Sequence, residues 1–383
     1  MMKRFKINFK GFKSLLVLIF LCCSMTVSAA THIEVTNAMP QKRSELIEIP
    51  YADFQKGFPW IKGKTFQLTD AATNAELTYQ LVYKGNKEPV ALLIAVTIAP
   101  KGTLKINVKA GKPRLVAPKT FARFVPERYD DFAWENDKVA FRLYGAALDG
   151  RKDNAYGMDV WAKRTDGLVI DKWYKSGDYH TDHGEGMDYY SVGLTLGGGD
   201  IAPFVNDSIY FTHNYKTWKV LDNGPLRSTF QLNYPTRNAA DIPVTVTKII
   251  SLDAGSQLSK IEATFDFNGA VPLPIVVGIV KRNAPGAAVV LNEKDGIMAY
   301  WEPETAKNGV AGVGSVFIGE TSQMKVDKGH LLTQTHAKAS QPYIYYAGAA
   351  WNRAGKITSA QEWINYLSNF KTALNTPLQV KLK

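Results

Sequence analysis

The 383 residues carry 46 Lys and Arg against 35 Asp and Glu, a formal net charge of +11. The two cysteines, Cys22 and Cys23, sit together near the start, so the rest of the chain has neither a disulfide framework nor a thiolate metal site. Basic residues are scattered rather than gathered in a block, which argues against nucleic acid as a partner and leaves a polyanionic substrate compatible.

The chain opens Met-Met-Lys-Arg-Phe-Lys, adds Lys10 and Lys13, and then runs almost wholly apolar from Leu15 to Val27. Val27-Ser28-Ala29 fits the small-x-small cleavage rule, so residues 1–29 read as a secretory signal peptide removed near Ala29, with the product periplasmic or secreted. An apolar run of about 13 residues falls short of the roughly 20 that span a bilayer, so the mature protein is expected to have no membrane span. A lipidated cysteine would need small residues before it, and Ile19, Phe20 and Leu21 stand there instead. Five basic residues leave with the signal, and the net charge falls to +6.

Strand signals dominate the remainder. Leu104, Ile106 and Val108 alternate with Lys105, Asn107 and Lys109; Val139, Phe141 and Leu143 alternate with Ala140, Arg142 and Tyr144. Leu226, Phe230 and Leu232 share a face as well. A period of two marks half-buried antiparallel strands, whereas the continuous runs Val90 to Ile98 and Ile275 to Val280 suit strands buried on both faces. One helix is clear: Ser359-Ala-Gln-Glu362 is a capping box before Trp363, Ile364, Leu367 and Phe370 at helical spacing. A last strand follows Pro377 through Leu378, Val380 and Leu382. Gly111-Lys-Pro-Arg114 and Pro118 make a linker, dividing an N-terminal β-rich lobe at 30–115 from a main β domain at 116–383. The fold class read from this is mainly β, as large packed antiparallel sheets with few helices.

The stretch from Lys172 to Asp200 differs from the rest. It holds His180, His183, Asp178, Asp182, Glu185, Asp188 and four tyrosines, and its first half shows no core-forming period. Polar groups this dense need solvent, a ligand or one another. The glycines at 184, 186, 193 and 197–199 imply tight turns or close backbone approach.

Two further segments stand with it: Pro126-Glu-Arg-Tyr-Asp-Asp-Phe-Ala-Trp-Glu-Asn-Asp137 leading into Ala140-Phe-Arg-Leu-Tyr-Gly145, and Gly157-Met-Asp-Val-Trp161. Together with Lys172-Trp-Tyr174 and Tyr179-His-Thr-Asp-His-Gly-Glu-Gly186 they resemble a bacterial family known as domain of unknown function 4861. The resemblance covers most of the mature chain. It implies a carbohydrate-associated protein of the kind that accompanies polysaccharide-degrading enzymes, with a β-sandwich akin to the galactose-mutarotase-like supersandwich. It brings no established catalytic residues.

Sugar recognition calls for aromatic faces beside charged and amide groups. Candidate substrate-binding residues are therefore Trp134, Glu135, Arg128, Trp161, Lys172, Trp173 and Tyr189, with Trp218 also near charge; core packing is the competing role for each tryptophan. Candidate catalytic residues are His180, His183, Tyr179 and Arg142. A histidine can exchange a proton near neutral pH, a phenol can serve as acid, and an arginine can stabilise an enolate. Asp182, Glu185 and Asp188 are the candidate metal ligands, for a calcium ion that tolerates loose oxygen geometry. A four-ligand zinc site is awkward, because on a strand His180 and His183 point to opposite faces.

These residues point to β-elimination at a uronic acid in a poly- or oligosaccharide. The alternatives are a non-catalytic glycan-binding protein and a glycoside hydrolase pairing two of Glu135, Asp182, Glu185 and Asp188 across a cleft. An epimerase or mutarotase rests on fold analogy alone.

Overall fold

The computed structural model describes residues 30–304, 307–319 and 321–383; the signal-peptide segment lies outside the described residues. Strands take 48% of the chain and helices 12%, and every strand pairing among the described residues is antiparallel apart from isolated bridges at Gly145–Tyr215 and Met158–Gly197.

Alternation builds the first lobe. Strand Thr103–Ala110 lies between His32–Thr36 and Phe66–Asp70, and the chain's last strand, Gln379–Leu382, returns to the free edge of His32–Thr36. A second sheet of Arg43–Pro50, Ala91–Ile98 and Tyr79–Val82 faces this one. Ile33, Val35, Leu68, Leu92, Ile94 and Ile106 fill the space between, with Phe54 and Phe58 supplied by the short helix Tyr51–Gly57 and its C-cap. Ala91–Ile98 reads as apolar throughout because its other face is also covered: Leu93 packs with Val82 and Leu226.

The remaining strands are organised around a nine-stranded sheet. Its order is Thr217–Asn223, Arg227–Asn233, Ile242–Asp253, Leu258–Asp266, Pro342–Trp351, Ala311–Phe317, Ile297–Trp301 and Ala288–Asn292, with Arg237–Ala239 paired to Ile242–Asp253. Two five-stranded sheets face it. One runs Gly186–Met187, Asp159–Lys163, Ala140–Leu143, Asp131–Asn136 and Thr120–Val125; the other is centred on Gly198–Val205, Leu273–Val280 and His330–Ala337. A continuous core joins all three, including Trp134, Phe141, Phe230, Ile250, Val277, Tyr300 and Tyr345. Phe132 stacks on Phe230 with ring centroids 4.2 Å apart. This is a large β-sandwich, as its alternation implies.

Helix Ala360–Asn375 covers the outer face of the nine-stranded sheet. It comes close because Gly312 and Gly314 lie beneath it: a Cβ at Gly312 would sit 2.6 Å from the Trp301 ring, and one at Gly314 would sit 2.6 Å from Leu367. Trp363 Nε1 donates to the Val313 carbonyl at 3.1 Å. Ser359 Oγ caps the helix by accepting from the Glu362 amide, while the Glu362 carboxylate accepts from the amide and hydroxyl of Thr358. Ser359→Ala should therefore lower stability by about 1 kcal/mol in urea denaturation, the usual loss for such a cap. The fold should persist, since Trp363 and Leu367 remain buried.

Candidate functional site

The five-stranded sheet that begins at Thr120 has one face on the core and one face that carries charge. Alternation sends Asp131, Ala133 and Glu135 to the second face, and the register sets Arg142 opposite both Ala133 and Asp159. The same face takes Trp161 and Lys163. It is roofed by helix Ile170–Ser176 and the polar loop that follows, so its charges are buried and must pair.

The first pair is complete. Lys163 Nζ lies 2.7 Å from Glu135 Oε2 and also donates to the Asn136 carbonyl, with both side chains fully buried. The Glu135 carboxylate accepts from the amides of Val169 and Ile170 at 2.8–2.9 Å, which anchors the start of the roofing helix. Ile170, Trp173 and Tyr174 then turn inward at i, i+3 and i+4. Trp161 is stacked by Trp173 and Tyr179, each at 5.5 Å.

The second group is not complete. Arg142 donates through Nε and Nη2 to Asp159 Oδ2 at 2.9 and 2.5 Å, and through Nη2 to Asp188 Oδ2 at 2.9 Å. Its Nη1 is 3.4 Å from Asp131 Oδ2, which also accepts from Tyr174 Oη at 3.2 Å. One cation thus faces three carboxylates that are at most 2% exposed. Burial pushes Asp131 up to about 7, against the pull of Arg142 and Arg128. Burial, reinforced by the charge on Asp159, pushes Asp188 up to about 8. Both are pushed well above the value near 4 that such acids have in water.

The group reaches the surface beside Arg128 and His180. His180 Nδ1 lies 2.8 Å from the Asp188 carbonyl and 3.6 Å from Asp188 Oδ2. A carbonyl only accepts, so Nδ1 carries the proton and Nε2 is left as the basic nitrogen of a side chain that is 62% exposed. Arg128 borders the same carboxylates: its charge acts on Asp131 and Asp188, and its Nε donates to Tyr179 Oη at 3.3 Å. Arg128 Nη1 and Asp131 Oδ1 are buried without a hydrogen-bond partner. The next two residues, Tyr129 and Asp130, hold left-handed φ values of 49° and 61°. Such conformations cost on the order of 1–3 kcal/mol each in a non-glycine residue and cluster at working sites.

The sequence-predicted residues divide accordingly. Arg128, Tyr179, His180, Arg142 and Asp188 come together. Arg142, expected to stabilise an enolate, is sealed among carboxylates and faces no solvent. Tyr179 is buried against Trp161, with its hydroxyl toward Arg128. Trp134 is wholly buried, donating to Ser259 Oγ at 3.0 Å. Trp161 and Trp173 form the stacked core beneath the roof, and Glu135 is committed to Lys163 and the helix start. None of these four offers a face to a sugar, because the charge next to them in sequence is internal ion pairing. Trp218, by contrast, is 42% exposed and stacks on Phe124. Lys172 is on the exposed side of the roofing helix, paired with Glu185 at 2.6 Å. His183 is exposed and paired with Asp178 at 3.0 Å. Tyr189 is half-buried, away from His180 in a neighbouring cleft.

The three acids expected to hold calcium are each engaged by other partners. Asp182 accepts from the amides of Gly184 and Gly186 and pairs with Arg164; Glu185 is held by Lys172; Asp188 is held by Arg142. Among the described residues no three acids, histidines or cysteines converge as metal ligands. Gly184 and Gly186 have φ of 101° and 117°, and a Cβ at Gly186 would overlap the Ala162 carbonyl, so these glycines serve the turn itself.

Asp131 and Asp159 were not singled out from sequence. Asp131 shares its strand with Glu135 and Asp159 shares its own with Lys163, and the available signal was the place of both on the same alternating face as Arg142.

The sign of the pH dependence follows from the raised acids. Between the unfolded pKa near 4 and the folded value, the native state holds a proton that the unfolded chain has released, so this contribution falls as pH rises from about 4 to about 8. His213 and His330, pushed down by burial, act in the opposite sense. The informative quantity is therefore the difference between wild type and Asp188→Asn, whose amide mimics the protonated acid. Urea denaturation should show the variant gaining on wild type as the pH rises from 5 toward 8.

Comparison with known proteins places this architecture. A protein of Formosa agariphila described as Uncharacterized protein P7 is 31% identical over 388 residues, covering 95% of this chain and 96% of that one. Among solved structures, a protein in the glycosyl hydrolase family 38 from Enterococcus faecalis superposes with a TM-score of 0.51 at 9% identity, covering 92% of this chain and 47% of that one. An alpha-mannosidase from the same species gives 0.43 at 9% identity, covering 92% and 46%. At such identity the 0.51 match speaks to the fold alone, and this chain spans about half of that protein's length. The family described as Domain of unknown function (DUF4861) matches residues 35–380, nearly the whole described chain, and the protein belongs to that family.

Proposed function

We propose that the protein cleaves a uronate-containing poly- or oligosaccharide by β-elimination, with His180 as the proton carrier. The observation that carries this is the fixed imidazole: Nδ1–H is held by the Asp188 carbonyl on a side chain that is 62% exposed, and the neighbouring Tyr179 hydroxyl accepts from Arg128. In the step, Nε2 takes the proton from C5 of the uronate. The C–H electron pair forms the C4–C5 double bond, the C4–O bond breaks, and the imidazolium returns its proton to the leaving oxygen. Arg128, a half-buried cation at the edge of the group, is suited to hold the uronate carboxylate and the enolate charge that develops there. The Arg142 group positions Asp188, and through it His180.

A hydrolase is less well supported. Glu135 and Asp188 are buried in ion pairs, and Asp182 and Glu185 are engaged with Arg164 and Lys172, so none of the four is a free member of a carboxyl pair. Glycan binding without cleavage is the second reading, favoured by the 41% exposed Tyr129, whose ring lies under the Arg151 guanidinium at 3.8 Å. The proposal includes export to the periplasm or beyond, supported by the apolar run before Ala29; N-terminal sequencing should then find a mature chain starting at or near Ala30.

Incubation with a panel of uronate and neutral polysaccharides tests the activity. Absorbance of an unsaturated uronate is expected, and reducing ends without it would select hydrolysis instead. His180→Ala should lower turnover about 10²-fold or more with little change in affinity, whereas His183→Ala should leave it near wild type. Binding without either product would leave the glycan-binding reading.

A further inference from the structure

Another opening, of ≈ 440 Å³, lies where two sheets end beside each other. One side is the short strand Ser208–Ile209, which turns back on Gly198–Val205; the other is Arg237–Ala239, paired to the nine-stranded sheet. The volume is that of a small-molecule site. Tyr210, Phe211, His213, Arg237 and Asn238 are among its lining residues, and no lining residue is acidic.

Arg237 sets the chemistry. It is half-buried, and among the described residues its guanidinium makes no ion pair and no hydrogen bond; Nε finds no acceptor, and the terminal nitrogens are the donors left for a ligand. The other buried or half-buried arginines are all held. Arg43, Arg123, Arg142, Arg227 and Arg282 each have a carboxylate, and Arg128 has the Tyr179 hydroxyl. A guanidinium is always charged, so drawing one partly out of water without a counter-ion is costly unless a ligand brings the opposite charge.

His213 is presented to the same opening by an uncommon backbone. Its φ is 58°, a left-handed value that few residues other than glycine adopt. The residues after it hold it there: Asn214 Nδ2 donates to the Gly145 carbonyl and to Asn154 Oδ1, both at 3.0 Å, and the Tyr215 amide donates to the Tyr144 carbonyl. The Tyr156 ring lies 4.2 Å from the imidazole. Burial and the Arg237 charge push His213 down, with exposed Asp149 pulling the other way, so the ring is neutral at pH 7 and can donate or accept.

We infer that this opening binds a ring-sized ligand by its oxyanion, a carboxylate or a sulfate or phosphate ester, at a site built from none of the residues around His180. Arg237 takes the oxyanion through its terminal nitrogens, as a guanidinium fork does. His213 and Asn238 hydrogen-bond the groups next to it, and Tyr210 and Phe211 supply apolar surface for the ring. The inference rests on Arg237 and not on the proposed elimination.

Calorimetric titration of the full protein with galacturonate, glucuronate and the sulfate and phosphate esters of glucose tests this, with glucose, galactose and inorganic sulfate beside them. None of these carries a glycosidic bond at C4, so elimination does not intervene. At least one of the four acids should bind more tightly than the neutral sugars and inorganic sulfate, and which one binds identifies the oxyanion. Arg237→Gln breaks no bond within the protein, so thermal stability should hold while affinity falls about tenfold or more, the scale of a charge-assisted hydrogen bond. His213→Asn keeps a residue that accepts left-handed φ and should cost about fivefold. His180→Ala should leave the Arg237-dependent binding unchanged, so failure of the elimination reading and failure of this one are separable. No binding by any of the acids, equal binding by the neutral sugars or inorganic sulfate, or unchanged affinity in Arg237→Gln would overturn the inference.

Discussion

The guanidinium of Arg142 is the point on which the charged face depends. It joins three strands through Asp131, Asp159 and its own position, and it draws in the loop after the roofing helix through Asp188. That loop has little apolar surface of its own, so its attachment rests on the ion pair, on the Asp188 amide bonded to the Tyr179 carbonyl, and on the packing of Tyr179. Breaking a buried pair by deleting one partner is expensive, typically about 3–5 kcal/mol, because the remaining charge is stranded. The comparison with Lys163 and Glu135 is instructive. There every charge is matched and every carboxylate oxygen receives donors, which describes a structural joint. Around Arg142 the acids outnumber the cation, burial pushes Asp131 and Asp188 up, and Asp131 Oδ1 has no partner.

That imbalance connects structure to chemistry. Low dielectric strengthens the pull of each remaining charge, and the one element of the group that reaches solvent is the edge bearing Arg128 and His180. A histidine held through Nδ1 by a backbone carbonyl, with a carboxyl behind it, has its tautomer and ring orientation settled by the fold. The carbohydrate reading is a proposal, since a shared fold alone does not fix activity. The reading therefore rests on the imidazole and arginine themselves.

Much of the fold was legible because burial in a sandwich imposes a period of two, and the long strands of this chain obey it. The helix at Ala360 announced itself through its capping box. Helix Ile170–Ser176 did not, since seven residues give two turns, and its three inward positions could not be told from a loop containing aromatics. The site was half legible. Density of charge and tyrosine drew attention to Arg128, Tyr179, His180 and Asp188, which the fold brings together. The same density misled at Trp134, Glu135, Trp161 and Trp173, because an aromatic beside a charge reads identically in sequence whether the charge faces a sugar or a buried counter-ion. Only register across strands distinguishes the two, and register is not local information.

The backbone around Arg128 carries the last step. Tyr129 and Asp130 are held in left-handed conformations from several sides: Tyr215 Oη donates to the Asp130 carbonyl at 2.5 Å, and the Arg151 guanidinium covers the Tyr129 ring. Gly145 lies so close to Asp130 that any Cβ there would overlap its carbonyl. Strain on this scale persists only where surrounding contacts over-determine the conformation. A relaxed turn would free Tyr129 and Asp130, but it would also change where the chain presents the residues on either side of them. Those residues are Arg128, at the mouth of the site, and Asp131, inside the carboxylate group. The strained pair is thus the hinge that sets a half-exposed cation and a buried acid within reach of one another, and the molecule holds it in place with Gly145, Tyr215 and Arg151.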